Sequence, residues 1–265
     1  MLEIMNDVEN GGRAGDFKTH RKCVWCPCSI RKHHYIGFQQ LYNLPMKTTL
    51  KIDFVSDVSC PWCAVGLASL EQALGQVADQ IDAKLTFQPF ELNPQMVKEG
   101  EDIGEHLAKK YGSTPEQAAG AREAIRARGA ELGFSFSMDK RSRIYNTFNA
   151  HRLLHWAHLE GPAGAQVALK KAYLKAYFTD GENPSDNAVL VRVAGEVGLD
   201  TTRAQAILDT DEFADDVRDH EQFYLRSGIN SVPAVIINDK HLISGGQPPE
   251  VFANALRQIA EQAKA

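Results

Sequence analysis

The most constraining feature of the sequence is a strand pattern that runs directly into a helical pattern at a pair of cysteines. Apolar and charged residues alternate over residues 50–57, which predicts a strand. From Cys60 to about Ala78 the apolar residues follow a 4-3-4-3 spacing, which places them on one face of a helix. A second strand is predicted over residues 85–92, so this segment has the order that opens a βαβ unit. The apolar helix face consists of Cys63, Leu67, Leu70, Leu74 and Val77.

The end of the chain carries a second set of strands and helices. A helix is predicted over residues 211–227, followed by a strand from Ala234 to Asn238. The polar turn Asp239-Lys240 joins this strand to another at His241–Ser244, which predicts a hairpin. A last helix is predicted from Pro249 to about Ala263.

Residues 101–210 lie between these two parts and are predicted to be entirely helical. Thr114-Pro115-Glu116 has the cap, proline and acidic residue typical of a helix start. Gly161-Pro162 is predicted to end a helix that contains Tyr145–His158, and Asn183-Pro184-Ser185 to open another.

The order of elements predicts an α/β protein with the thioredoxin arrangement, βαβ followed by αββα, and a large helical insertion. We expect residues 47–100 and 211–265 to form the thioredoxin core and residues 101–210 to form the insertion. The insertion interrupts the sheet, so we expect one composite domain.

The composition changes near Pro45-Met46. Residues 1–46 contain six Lys and Arg and four Asp and Glu, a net charge of +2, whereas the whole chain has a net charge of -5. Because this segment has no periodic apolar face to bury, we interpret it as an N-terminal extension that is disordered or not native. Met46 is then the expected natural start.

Several classes of protein are disfavoured by composition. An acidic chain does not attract nucleic acid or an anionic membrane surface. No apolar run is long enough for a membrane span, and residues 1–46 lack the apolar centre of a signal peptide, so we predict a cytoplasmic protein. Five cysteines are too few for a disulfide scaffold at this length.

The sequence Cys60-Pro61-Trp62-Cys63 is suited to thiol-disulfide exchange. Such exchange needs a reactive thiolate and a second thiol that resolves the mixed disulfide. At a helix N-terminus the backbone N–H groups and the helix dipole favour the thiolate form, so we expect Cys60 to be the nucleophile. Cys63, one turn further on the apolar face, is then the resolving thiol. Pro61 fits the first helical turn, and Trp62 either contacts substrate or packs.

A second candidate element of this site is Val232-Pro233, just before a predicted strand. A cis-Pro here would lie against the two cysteines and leave the Val232 backbone free to pair with an extended peptide. A plain proline at the start of a strand explains the same residues, and the sequence leaves both readings open.

Five stretches of the sequence resemble the cytoplasmic FrnE-type branch of the DsbA family, also described as the 2-hydroxychromene-2-carboxylate isomerase-like group. These stretches lie within residues 46–263 and cover most of the chain, whereas the segment before Met46 has no counterpart. They are KIDFVSDVSCPWC, FELNP, NTFNAHRLLHWA, GINSVPAVIIN and ISGGQ.

The resemblance implies a dithiol oxidoreductase with Cys60 as attacking thiol, Cys63 as resolving thiol and Pro233 as cis-Pro. In the glutathione-using isomerase and kappa-transferase relatives a Ser occupies the leading position, whereas this chain has Cys at both positions. We therefore expect exchange with thiol or disulfide substrates and no bound cofactor, with glutathione as a candidate redox partner. A glutathione-dependent isomerase or transferase and a non-enzymatic binder of unfolded chains remain as alternatives.

Metal binding is the competing interpretation of several residues. Cys23, Cys26 and Cys28 lie near two histidines, His33 and His34, and such a set could bind zinc, alone or together with Cys60 and Cys63. Incidental thiols in an unstructured tail explain the same residues, and we predict no metal site.

A histidine row in the insertion and a set of aromatic residues are explained by packing. His151, His155 and His158 share one helix face but lack the Glu of a zincin helix, so we interpret them as part of an amphipathic face. Most of the aromatic residues are expected in the core, with a minority facing the thiols. They are Phe90, Phe134, Phe136, Phe148, Tyr173, Tyr177 and Phe178.

Overall fold

A computed structural model describes residues 47–264 of the chain. A four-stranded sheet forms its centre. The strands are β1 (Thr48–Ser56), β2 (Ile81–Pro89), β5 (Ala234–Ile237) and β6 (His241–Ser244), with a separate pair β3 (Glu101–Asp102) and β4 (Arg143–Ile144). The described helices are α1 (Pro61–Gln76), α2 (Ile103–Tyr111), α3 (Pro115–Glu131), α4 (Phe148–Leu159), α5 (Ala165–Lys175) with a π-helical turn at Ala176–Asp180, α6 (Asn187–Glu196), α7 (Thr201–Leu208), α8 (Ala214–Arg226) and α9 (Pro249–Gln262).

The sheet confirms the predicted α/β class and the βαβ-αββα order. β1 pairs in parallel with β2 and antiparallel with β5, which in turn pairs antiparallel with β6. The parallel pair requires the crossover that α1 supplies. Within residues 47–264 no helix is both long and apolar enough to cross a membrane.

The core lies on both faces of the central strand β1. Leu50, Ile52, Phe54 and Val55 of this strand are fully buried. The apolar face of α1 packs in the same core and also contacts α9. A strand buried on both faces with a helix docked at its end is a rigid support for residues at the strand-helix junction.

The outer edge of β2 is closed by a side chain instead of another strand. The Gln166 side chain, buried in α5, accepts a hydrogen bond from the Phe87 N–H at 2.9 Å and donates one to the Phe87 carbonyl at 2.9 Å. One amide thus satisfies both backbone groups of an edge residue, as a neighbouring strand would. This contact holds α5 against β2, the edge strand of the sheet.

Gln166→Leu is expected to lower the free energy of unfolding by about 2 kcal/mol, because it leaves a buried N–H and a buried carbonyl without partners. Urea unfolding followed by circular dichroism measures the change. Gln258→Leu on the exposed face of α9 is the matched control and is expected to stay within about 0.5 kcal/mol. Equal stability of the two variants would show that Gln166 does not support the edge.

The prediction that residues 101–210 are entirely helical is wrong at one place. Glu101 and Asp102 pair antiparallel with Ile144 and Arg143. Two-residue strands are too short to show alternation, and this pair is fixed by long-range contacts. The Arg143 guanidinium donates to the backbone carbonyls of Glu99 and Gly100 at 3.0 and 2.7 Å.

Several predicted boundaries also differ from the structure, for example the helix predicted over 211–227, which lies at Ala214–Arg226. The helix predicted to contain Tyr145 begins only at Phe148, whose N–H donates to the Asn146 side chain at 2.9 Å. The strand predicted over 85–92 lies at Ile81–Pro89. It ends before Leu92, whose N–H donates to the Asp57 carboxylate at 2.7 Å instead of to a strand. The predicted extension 1–46 lies outside the described residues.

Candidate active site

Both cysteines lie at the junction between β1 and α1. Cys60 is the N-cap residue of α1, with φ -89° and ψ 113°, and Pro61 occupies the first helical turn. The Cys60 carbonyl accepts the Cys63 N–H at 3.0 Å, which closes the first turn over the two thiols. The spacing of two residues therefore places both sulfur atoms on one turn, and both are free thiols in this structure.

The two thiols differ in burial, although less than the sequence suggests. Cys60 is 4% exposed and Cys63 is fully buried, whereas Trp62 between them is 42% exposed. Burial raises the pKa of the Cys63 thiol well above its usual range, and a hydrogen bond between the two thiols raises it further. Cys63 therefore holds its proton firmly, while Cys60 is the slightly more exposed of the two residues.

The Val232-Pro233 loop lies directly against Cys60, and its peptide bond is cis. The Cys60 thiol donates to the Val232 carbonyl with a sulfur-oxygen distance of 3.6 Å. Pro233 is buried, and its carbonyl accepts the Gly245 N–H at 2.8 Å, which connects the loop to the end of β6. The fold thus brings Cys60 and Val232, which are 172 positions apart in the sequence, to the same site.

Gly66 on α1 is what allows this loop to approach the helix. A Cβ atom at position 66 would lie 2.9 Å from Pro233 Cγ and 3.3 Å from the Gly246 Cα. Both distances are shorter than ordinary van der Waals contacts. The close approach of α1, the Val232-Pro233 loop and the β6–α9 turn therefore depends on glycine at this position.

Asp57, which sequence reasoning did not single out, anchors the active-site loop. Its buried carboxylate accepts the Leu92 N–H at 2.7 Å and the Ser59 N–H at 3.1 Å. Nε2 of His151 lies 3.6 Å from one oxygen. Burial alone would raise the pKa of Asp57, but the contact with His151 and these two N–H groups outweigh it and lower the pKa to about 2.

The depressed pKa of Asp57 makes stability depend on pH in the acid range. Its pKa falls from an ordinary 3.8 to about 2 in the folded protein, so the stabilisation is complete above 3.8 and disappears as pH falls toward 2. At about 1.4 kcal/mol per pH unit, we expect Asp57→Asn to cost about 2 kcal/mol at neutral pH. Urea unfolding at several pH values measures the difference between the variant and the wild type.

That difference should shrink between pH 3.8 and about 2. Asp79→Asn, at an exposed position after α1, is the control and should change stability little at any pH. A difference for Asp57→Asn that stays constant down to pH 2 would contradict the role given to the carboxylate.

The structure also places the other residues that the sequence singled out. His151 is buried behind Asp57, and His155 lies 5.4 Å from the ring of Phe213, so these histidines pack within the protein. In residues 47–264 no group of three His, Cys, Asp or Glu side chains is arranged to hold a metal ion. The candidate zinc ligands Cys23, Cys26, Cys28, His33 and His34 lie outside the described residues.

Most of the aromatic set is core, as expected. Phe136, Tyr173, Tyr177 and Phe178 are buried. Phe134 lies partly exposed beside α1, in an apolar groove of about 410 Å³ that Leu67 and Ala68 also line. A second groove, about 560 Å³ and more polar, opens beside Trp62.

Comparison with known proteins agrees with the fold. The sequence model of the DSBA-like thioredoxin domain family matches residues 51–257. The chain belongs to this family. The match covers most of β1, both cysteines, the insertion, the Val232-Pro233 loop and most of α9, and it confirms the resemblance to the DsbA family inferred from the sequence.

Individual proteins of known sequence or structure are also similar to this chain. An uncharacterized protein of Bacillus subtilis strain 168, YwbO, is 27% identical over 209 residues, which is 78% of this chain and 96% of that protein. The crystal structure of a probable DsbA oxidoreductase from Streptomyces coelicolor matches with a TM-score of 0.73 and 33% identity over 79% of this chain and 89% of that one. A cytosolic disulfide reductase from Pseudomonas aeruginosa, DsbM, solved with glutathione, shares the fold at 17% identity and a TM-score of 0.55, over 80% and 99% of the two chains.

Proposed function

We propose that this DsbA-family protein is a thiol-disulfide oxidoreductase that acts through Cys60 and Cys63. The observation that carries the proposal is the placement of two free thiols on the first turn of α1, with Cys60 at the N-cap and against the Val232 carbonyl. Membership of an oxidoreductase family supports an enzyme in general. The presence of Cys at both positions favours disulfide chemistry over a reaction that needs one thiol.

The proposed reaction has two steps. The Cys60 thiolate attacks one sulfur of a substrate disulfide, so that a mixed disulfide forms and the other substrate sulfur leaves as a thiolate and takes a proton. The Cys63 thiol then loses its proton and attacks Cys60, which releases the second substrate thiol. The substrate is reduced by two electrons and the protein carries a Cys60–Cys63 disulfide; the reverse sequence oxidises a dithiol substrate.

The surroundings of Cys60 suit a protein or a small-thiol substrate. When Cys60 is a thiolate it no longer donates to the Val232 carbonyl, which leaves that oxygen available to an N–H of an extended peptide. Trp62 offers an exposed apolar surface beside the sulfur, next to the open groove lined also by Leu132 and Pro248. We include glutathione among the candidate small thiols because DsbM, a protein of similar fold, was solved with it. A cytoplasmic location stays a prediction.

A redox titration tests the proposal. The protein is equilibrated in glutathione buffers of known potential, and the Cys60–Cys63 state is read by alkylation and mass spectrometry. Thioredoxin-fold pairs lie between about -270 and about -120 mV. We expect one two-electron transition below the oxidising end of that range, because Pro61 and Trp62 place no cation between the cysteines. A pair that never oxidises would refute the proposal, and a midpoint near -120 mV would refute the expectation about its direction.

A further inference from the structure

Phe90-Glu91-Leu92, the three residues that follow β2, contact both segments that form the active site. They belong to the FELNP stretch, to which the dithiol reaction assigns no role. One segment is the end of β1 with the turn that carries Cys60, and the other is α8 with the loop that carries Val232. Each of the three residues makes a different kind of contact with one of these segments.

Leu92 holds the segment that carries Cys60. Its backbone N–H donates to the Asp57 carboxylate at 2.7 Å. The other oxygen of that carboxylate accepts the Ser59 N–H at 3.1 Å, and the Asp57 carbonyl accepts the Cys60 N–H at 3.3 Å. The position of Cys60 is therefore connected to Leu92 by direct hydrogen bonds.

Phe90 packs against the segment that carries Val232. The loop follows α8 directly, and its Ile229 N–H donates to the Tyr224 carbonyl of that helix at 3.0 Å. The ring of Phe90 is buried in one apolar cluster with residues of α8, this loop and β5, and Val232 packs against the cluster. The buried members of the cluster are Val55, Phe90, Tyr224, Ile229 and Ala234.

Arg218 of α8 fixes the same helix to Glu91. Its Nη1 donates to the Glu91 carboxylate and, at 2.8 Å, to the Glu221 carboxylate, and both carboxylates are buried. The guanidinium also lies 3.7 Å from the centre of the Phe148 ring at the start of α4. Because breaking a buried ion pair leaves an uncompensated charge, such a pair holds its two segments firmly together.

We propose that Phe90-Glu91-Leu92 sets the distance between the Cys60 sulfur and the Val232 carbonyl, and that Arg218 is a positioning residue that holds the Val232-Pro233 loop in place for extended peptide substrates. The inference rests on the function proposed above. Arg218 acts through Glu91 and α8 and takes no part in the exchange of bonds.

The inference predicts an effect that depends on the substrate. An extended peptide has to bring its disulfide to Cys60 while its backbone pairs with Val232, so it needs both groups at a fixed separation. A small disulfide without a peptide backbone needs only the Cys60 sulfur. Loss of the Arg218 contact should therefore weaken peptide binding and leave the reaction of a small disulfide intact.

Steady-state kinetics of the full chain with two disulfides tests this prediction. One is 2-hydroxyethyl disulfide, and the other is an extended peptide whose cysteine is joined to the same mercaptoethanol group. Each is reduced at saturating glutathione, and the uncatalysed rate is subtracted. We expect Arg218→Gln to raise the KM of the peptide about tenfold, as loss of one hydrogen bond would, and to change its kcat and the rate with 2-hydroxyethyl disulfide less than twofold.

Two further variants separate position from general stability. Arg218→Lys should restore the KM of the peptide, because a single nitrogen bonds both carboxylates and an ammonium can replace it. Arg192→Gln is the matched control: Arg192 pairs with Glu182 and Glu196, and its side chain is 44% exposed, against 42% for Arg218. It should leave the kinetics of both disulfides unchanged.

Glu91→Met removes the same contact without leaving a buried charge unpaired. Arg218 keeps its bond to Glu221, and the Asn146 amide, 3.4 Å from Glu91, keeps its bond to the Met96 carbonyl at 3.2 Å. We expect the same rise in the KM of the peptide, even if Arg218→Gln fails to fold. An unchanged KM in this variant, or an equal loss with both disulfides, overturns the inference. If the unaltered protein reduces neither disulfide, the proposed function fails, and the inference with it.

Discussion

Replacement of Cys60 by Ser is expected to reduce disulfide exchange to the rate of the buffer alone, whereas Cys63→Ala is expected to trap a mixed disulfide with the substrate. Cys60 is the N-cap residue of α1 and is slightly more exposed than Cys63, the other thiol of residues 47–264, so we expect Cys60 to begin the reaction. Cys63 is fully buried next to it and can only act on a disulfide that Cys60 already holds.

Glutathione-coupled reduction of a disulfide peptide measures the turnover, and mass spectrometry of the quenched protein detects the mixed disulfide. Ser substitution of Cys23, Cys26 and Cys28 is the control and should leave turnover unchanged. Full activity of Cys63→Ala with glutathione as a required ligand would favour an isomerase or transferase. Unchanged binding of unfolded chains after loss of both thiols, with no turnover in the wild type, would favour a non-enzymatic binder.

Gly66→Val is expected to lower the free energy of unfolding by about 3 kcal/mol and to slow exchange as well. The added side chain would meet the Pro233 ring at 2.9 Å and the Gly246 backbone at 3.3 Å, and neither can turn away as a flexible side chain would. Relief of this overlap requires movement of the loop whose Val232 carbonyl contacts Cys60. Stability and activity should therefore fall together.

Gly75→Val on the same helix is the matched control. A Cβ at position 75 meets no atom of the described chain within 4 Å, so the change should stay within about 0.5 kcal/mol and leave exchange unaffected. Chemical unfolding and the peptide-reduction assay are applied to both variants. Equal effects at positions 66 and 75 would show that the response comes from helix propensity and not from the approach of the loop.

The parts of the fold that the sequence predicts well are those fixed by local periodicity. The alternation around Ile52 and the spacing from Cys63 to Val77 arise from burial against the same core, so the strand-helix junction and its two thiols follow from the residues alone. The β5–β6 hairpin is equally local, with its turn at Asn238 and Asp239 in the left-handed conformation.

The missed features depend on contacts between distant segments. In the sequence Asp57 has no feature that separates it from other loop residues, because its role depends on the hydrogen bond from the distant Leu92 N–H. The β3–β4 pair likewise depends on the hydrogen bond from the Arg143 guanidinium to the Gly100 carbonyl. Gly66 shows its role only when the Pro233 ring is placed against it.

Lys170 of α5 differs from these features, because the sequence carries a local signal for it. Gln166, Lys170, Tyr173 and Tyr177 follow a 4-3-4 spacing, and all four are buried, so a lysine stands at a core position of its helix. A charged residue inside a helical burial pattern is unusual, since charged side chains are almost never fully buried.

The most direct test of a dithiol centre is to map which of the five cysteines change oxidation state. The protein is poised in fully reducing and in fully oxidising glutathione buffers, free thiols are alkylated, and the peptides are analysed by mass spectrometry. We predict that the oxidised protein contains a peptide pair joined by a Cys60–Cys63 disulfide, with a loss of two hydrogen atoms, and that reduction restores both thiols. Cys60 and Cys63 that remain alkylatable in both buffers would contradict the account.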